Sequence, residues 1–155
     1  MEKIKIVEIP ASKMVSSGGF NFGDEAMERF VRDILTRHKD IFPRDFMWHK
    51  PSTGKIYWYV SIMNLDIDTK DFEIVDFEGG FYAVATAIDP DDGSPDMGQT
   101  IQEVEEWVRK SDFFELDYRD DHQMLTHMPA PQTKSIMGYA QLEIFIPIKT
   151  KTKPT

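Results

Sequence analysis

Two stretches, Lys55-Ile-Tyr-Trp-Tyr-Val-Ser-Ile-Met63 and Ala140-Gln-Leu-Glu-Ile-Phe-Ile-Pro-Ile148, decide the fold of this 155-residue chain. Side chains along a strand alternate between the two faces of its sheet. In the second stretch Leu142, Ile144, Ile146 and Ile148 therefore share a face apolar enough to lie under a helix, while Glu143 and Phe145 point the other way. In the first, Ile56, Trp58, Val60 and Ile62 form the helix-facing set, and Tyr57, Tyr59 and Ser61 lie opposite. Aligning the two through Ile62 and Ile148 sets Tyr57 against Glu143 and Tyr59 against Phe145.

The helices that would cover these faces are legible as well. Met27, Phe30, Val31, Ile34, Leu35 and His38 follow an i, i+3, i+4, i+7 stripe, with Asp24 as N-cap. A second helix, Thr100–Lys110, opens on the capping box Thr100-Ile-Gln-Glu103 and carries Ile101, Val104, Trp107 and Val108 on one side. Strands flank both helices. Lys3–Ile9 and Lys13–Ser17 precede the first; Asp45–His49 and Lys55–Met63 follow it, joined by a hairpin-type turn at Lys50-Pro-Ser-Thr-Gly54. Phe72–Phe77 and Phe81–Ile88 meet at Glu78-Gly79-Gly80; Asp112–Tyr118 and Ala140–Ile148 follow the second helix. Each half reads ββαββ. Ile6-Val7-Glu8-Ile9 opening one copy matches Ile74-Val75-Asp76-Phe77 opening the other. The expected fold is α+β: one domain over residues 1–149, built of duplicated ββαββ units (about 1–65 and 70–149) with pseudo-twofold symmetry. It would have an antiparallel sheet, helices on one side and a ligand groove between the copies. Residues 150–155 are expected to be a disordered tail.

Composition narrows the function. No cysteine is present, which excludes disulfide and thiolate chemistry and fits a reducing, cytoplasmic location. The N-terminus alternates charged and apolar residues, so no signal peptide is expected, and no apolar run approaches the ~20 residues of a membrane span. Net charge is −9, from 27 acidic against 18 basic residues. The one basic cluster, Lys149, Lys151 and Lys153, reads as a frayed end. Without a basic face, direct nucleic-acid binding is not expected.

Tyr57, Tyr59, Phe145 and Glu143 suit a flat or cationic organic ligand. Rings supply area and cation–π attraction, and the carboxylate supplies charge or an acceptor. Periodicity alone equally allows Glu143 to be a solvent-facing residue of a half-exposed antiparallel sheet. Other candidates are weaker. His122 and His127, with Asp117, Asp120 and Asp121 nearby, match no metal-ligand spacing and read as part of a solvated loop. The polar excursion from His122 to Ser135, with Pro129 and Pro131, reads as a candidate lid. Asp89–Asp96 resembles a calcium loop but has Gly93 at a ligand position and Thr100 in place of the final glutamate. Gly18-Gly19 lacks the spacing and lysine of a phosphate loop. No metal or cofactor is expected. Met14, Met63 and Met137 are candidates for lending plasticity to a pocket.

The closing Glu143-Ile-Phe-Ile-Pro147-Ile-Lys149, the strand entry Gly79-Gly80-Phe81-Tyr82-Ala83-Val84 and the helical Glu106-Trp107-Val108 together resemble the GyrI-like small-molecule-binding superfamily. That group comprises effector-binding domains of multidrug-responsive transcription regulators and gyrase-inhibitory proteins. The resemblance spans Lys3 to Lys149. It implies a duplicated fold with a groove, in which Glu143 on the last strand reaches into an aromatic pocket that often accepts lipophilic cations. It also implies that Tyr57 and Tyr82 are pocket residues, with Trp48 and Trp107 in the core. The chain starts at the first strand, without room for a helix-turn-helix, so a transcriptional role would be indirect. Three functions stay open: a small-molecule sensor, a hydrolase of electrophilic compounds using Glu143 as base and a tyrosine as proton donor, and a protein-interaction inhibitor module.

Overall fold

The nine strands among the described residues of the computed structural model each run antiparallel to their partners, and the pairing differs from the order of the chain. The structure describes residues 4–35, 45–62, 68–88, 97–128 and 133–152. His38, Met63, Asp89–Asp96, Pro129, Pro131 and Lys153 lie outside the described residues. The chain forms two compact units: Pro10–Gly79, and Met1–Ile9 together with Gly80–Thr155.

The Pro10–Gly79 unit holds β2 (Ser12–Ser16), α1 (Glu25–Phe30), β3 (Asp45–His49), β4 (Ile56–Ser61) and β5 (Glu73–Phe77), in the order β5-β2-β4-β3. The β3–β4 hairpin closes through backbone bonds from Lys50 N to Lys55 O and from Gly54 N to Lys50 O. Gly54 sits at φ +71°, a conformation L side chains rarely adopt. α1 continues into a π-helical turn, Val31–Leu35. Asp24 occupies the N-cap, but its carboxylate accepts from the Asn21 N–H instead of capping the helix. Phe30 and Ile34 pack on Val15 and Val60, bordered by Trp58, Ile62 and Phe72. The Phe30 and Phe72 rings meet edge to face at 5.1 Å. The Trp58 indole donates to Asp45 at 2.9 Å.

The other unit holds β1 (Lys5–Ile9), β6 (Gly80–Ile88), α2 (Met97–Arg109), β7 (Phe114–Leu116), β8 (Leu125–His127), α3 (Thr133–Met137) and β9 (Gln141–Thr150). Its order is β1-β6-β9-β8, with β7 also on β9. One edge of β9 pairs with β6 from Gln141 to Ile148; the other takes β8 and then β7. Val104 and Val108 of α2 bury Ile144, Ile146, Ile148, Ala83 and Ala87 beneath them. α3 ends at Gly138, φ +87°, whose N–H donates to Lys134 O.

Several expectations change here. The opening strands are exchanged: β1 pairs with β6 and β5 with β2, so the units do not follow the sequence halves. α2 begins at Met97, which puts Thr100 inside the helix; Gln99 bonds Glu103 there in place of a capping box. The excursion after His122 is no loop, since it contains β8 and α3. The chain end is not frayed at Thr150, which pairs with Phe114, nor at Lys151, whose N–H donates to Phe113 O.

Ile146 is fully buried and Ile136 is 79% exposed. Ile146→Ala is expected to lower unfolding stability by about 2–5 kcal/mol in urea denaturation. Ile136→Ala is expected to change it by less than about 0.5 kcal/mol.

Candidate functional site

Alternation along β4 works as the sequence requires. Trp58 and Val60 pack under α1, so Tyr57, Tyr59 and Ser61 take the face without the helix. The hairpin register sets Trp48 beside Tyr57 and Phe46 beside Tyr59. Trp48 and Tyr57 stack at 4.8 Å with their planes 15° apart. Trp48 meets Tyr59 edge-on at 5.7 Å, and Tyr59 meets Phe77 at 6.5 Å. The result is a continuous aromatic row. Tyr57 and Tyr59 are half-buried, whereas Trp48 is only 7% exposed. Met14 and Ser16 of β2 lie on the same face, registered with Ser61 and Tyr59.

The approach to Tyr57 is tight. Ser17 binds the Trp58 backbone at both ends, its N–H donating to Trp58 O and its hydroxyl accepting from Trp58 N–H at 2.9 Å. This draws Gly19 against β4. A Cβ on Gly19 would stand 3.0 Å from Lys55 Cβ and 3.1 Å from the Tyr57 hydroxyl. Gly19 is thus read as a spacer for Tyr57.

In the other unit, Glu143 and Phe145 occupy the face of β9 away from α2 and are half-buried. Glu143 registers with Thr86 on one side and with His127 on the other. Same-face cross-strand partners stand about 5 Å apart at Cβ, so a carboxylate and an imidazole are neighbours. Tyr82, fully buried, meets Phe145 edge-on at 6.4 Å and the His122 ring at 5.7 Å. Tyr82 therefore backs this face more than it opens on it. His122 is fixed by reciprocal backbone bonds with Arg119, and its Nε2 is 3.7 Å from Asp117 Oδ2, which also takes the Arg119 guanidinium at 3.1 Å. Beside the helix, burial and then the Glu105 carboxylate push the Tyr118 phenol above its usual range.

With Ile62 aligned on Ile148, as in the sequence, Met14–Ser61 falls on Tyr82–Pro147, Tyr59 on Phe145 and Tyr57 on Glu143. By the same count Trp48 corresponds to His127. Tyr57 and Tyr59 lie in the Pro10–Gly79 unit; Glu143, Phe145 and Tyr82 lie in the other. His122 and His127 are buried, not solvated; Trp48 is buried, as the core reading requires, and also belongs to the aromatic row on the face away from α1. Trp48 could have been found in sequence by counting the turn as the four residues Pro51–Gly54 between Lys50 and Lys55, which sets Trp48 opposite Tyr57. Among the described residues no cluster of three or more His, Asp or Glu is arranged to hold a metal ion. No described helix is long and apolar enough to cross a membrane.

No protein-family model matches the chain, and no curated protein matches its sequence. Its fold, however, is shared with solved structures over nearly the whole length. A hydrolase from Listeria innocua is 12% identical with a TM-score of 0.61, covering 95% of this chain and 92% of that one. The protein SAV2435, bound to tetraphenylphosphonium, is 11% identical with a TM-score of 0.54, covering 96% and 94%. A Staphylococcus aureus MU50 protein provisionally assigned to bacterial transcription regulation is 11% identical with a TM-score of 0.50, covering 96% and 99%. At such identities the likeness establishes the α+β fold.

Gly19→Ala is expected to destabilise the protein by about 1–3 kcal/mol, the usual cost of overpacking. The Tyr57 ring resonances should move in NMR spectra of the variant, with those of Phe30, on the opposite face of the same unit, much less affected.

Proposed function

We propose that the chain binds a small aromatic organic molecule, preferentially a lipophilic cation, as an effector-binding module of the GyrI-like type. The observation that carries this is the aromatic row Trp48–Tyr57–Tyr59 on the helix-free face of β4. The half-buried tyrosine rings beside buried Trp48 offer contact area at little entropic cost, and their π-faces attract cations. Tyr59 supplies further ring surface to the row. On β9, Glu143 offers a negative charge to a cation and Phe145 offers a ring, with Tyr82 behind it. The tetraphenylphosphonium complex of the similarly folded SAV2435 supports a cation of this kind as the first probe. The net charge of −9 supports cations over anions, and nucleic acid is not a partner in this reading.

A second reading is hydrolysis of an electrophilic compound at the face of β9 that carries Glu143. It is favoured by the registration of His127 with Glu143, a base and a proton carrier side by side. A tyrosine would serve as proton donor. One variant separates the two readings: Glu143→Gln would retain an electrophilic substrate without consuming it.

Isothermal titration with tetraphenylphosphonium is the direct test. Glu143→Gln is expected to keep the fold and to weaken the cation by about 1.5–3 kcal/mol, the size of a charge-assisted contact. A neutral aromatic ligand should lose much less. Tyr57→Ala should weaken both. Unchanged cation affinity in Glu143→Gln rejects the carboxylate's role.

A further inference from the structure

Among the described residues, two buried polar atoms on the aromatic face of the Pro10–Gly79 unit have no hydrogen-bond partner: the Trp48 indole Nε1 and the Ser61 hydroxyl oxygen. Trp48 is 7% exposed and Ser61 is 6% exposed. Ser61 follows Tyr57 and Tyr59 on the same side of β4, and Trp48 lies over Tyr57 with its edge against Tyr59. Both groups are therefore built into the aromatic row.

Buried polar groups in folded proteins are nearly always paired, because leaving one unpaired forfeits its hydration with no return. The fold satisfies such groups elsewhere in this unit. Trp58, one residue along from Tyr57, donates its indole N–H to Asp45 at 2.9 Å. Ser16, on the same face as Ser61, accepts from Gly18 N–H at 3.0 Å. The two unpaired groups thus stand out at the row itself. An indole N–H can only donate, so whatever completes Trp48 must present an acceptor. A plain lipophilic cation has none.

We infer that the row recognises a ligand carrying a hydrogen-bond-acceptor oxygen on its aromatic body, such as a carbonyl, phosphoryl or ether oxygen, taken by the Trp48 Nε1–H. Tyr57 and Tyr59 hold the rings, and the Ser61 hydroxyl offers a second polar point further along β4. The inference rests on the small-molecule reading above and refines it. A charged ring system is attracted by the face, and an oxygen at the right place decides which one stays. The specificity resides in a donor that aromatic stacking would otherwise leave unsatisfied.

Two probes separate the terms. Triphenylphosphine oxide is neutral and carries one phosphoryl acceptor; tetraphenylphosphonium has the charge and no acceptor. Both would be titrated into the wild type and Trp48→Phe, which keeps a ring and removes the donor. The expected result is that the oxide loses about fivefold or more in affinity beyond whatever tetraphenylphosphonium loses, consistent with one hydrogen bond. Equal losses overturn the inference and leave the binding reading standing, the outcome also expected if ordered water completes Trp48. No binding of either probe to the wild type overturns both. Should Trp48→Phe fail to fold, the wild type still decides. On adding the oxide, the Trp48 indole proton should move downfield in NMR spectra, and it should not do so with tetraphenylphosphonium. A stationary indole proton rejects the inference.

Discussion

A strand offers each side chain one of two faces, and β9 commits ten consecutive residues to that rule. Ile144, Ile146 and Ile148 go under α2, which leaves Glu143 and Phe145 no alternative to the opposite face. A slip of one residue would reverse every assignment. Three isoleucines would leave the core, at about 1.5–3 kcal/mol each, and a carboxylate would enter it. The burial that attaches the helix to the sheet therefore also fixes the composition of the other face. β4 obeys the same constraint in its own unit, where Val60 and Trp58 lie beneath Phe30 and Ile34 and the tyrosines are turned away. Chemistry on one side of these sheets is held in place by packing on the other.

That coupling explains which parts of the fold were legible in the sequence. The strands around Asp45–His49 and Ile56–Ser61 were readable because alternation and turn chemistry agree there. The opening strands were readable as strands, but their partners were not. Nothing local in Lys5–Ile9 indicates that Val84 lies opposite Lys5, because strand pairing is a tertiary property. The start of the first helix was placed correctly at Asp24, whereas that of the second was misread for a related reason. Thr100 has a capping sequence, yet the helix begins three residues earlier and its hydroxyl has no terminus to cap. Asp24 sits at the right place, and its carboxylate turns back to Asn21 N–H, a local bond that competes with the cap.

The candidate site was half legible. Tyr57, Tyr59, Glu143 and Phe145 came from period-two counting, and the ladders place them on the faces that counting requires. Trp48, read as core, is indeed buried, and the hairpin register also makes it part of the row. His122 and His127 were hidden by composition. A stretch rich in polar residues and proline reads as solvated loop, yet three of its residues form a strand against β9, and burial of His127 follows from that pairing. Short strands of this kind carry too few residues for alternation to register.

The exchange of opening strands orders the events of biosynthesis. Pro10–Gly79 is contiguous, so all of its strands have left the ribosome once Gly79 has emerged. Its sheet, closed by β5, can form while the rest of the chain is still being made. β1 is translated long before its partner. Lys5 waits for Val84 across the whole Pro10–Gly79 segment, and the core beneath α2 is complete only once β9 joins the other edge of β6. Throughout that interval Ile4 and Ile6, which belong in the core beneath α2, travel without their partners. A nascent chain arrested soon after Gly79 would thus carry one finished unit and an unpaired strand edge, the kind of exposed surface that chaperones engage.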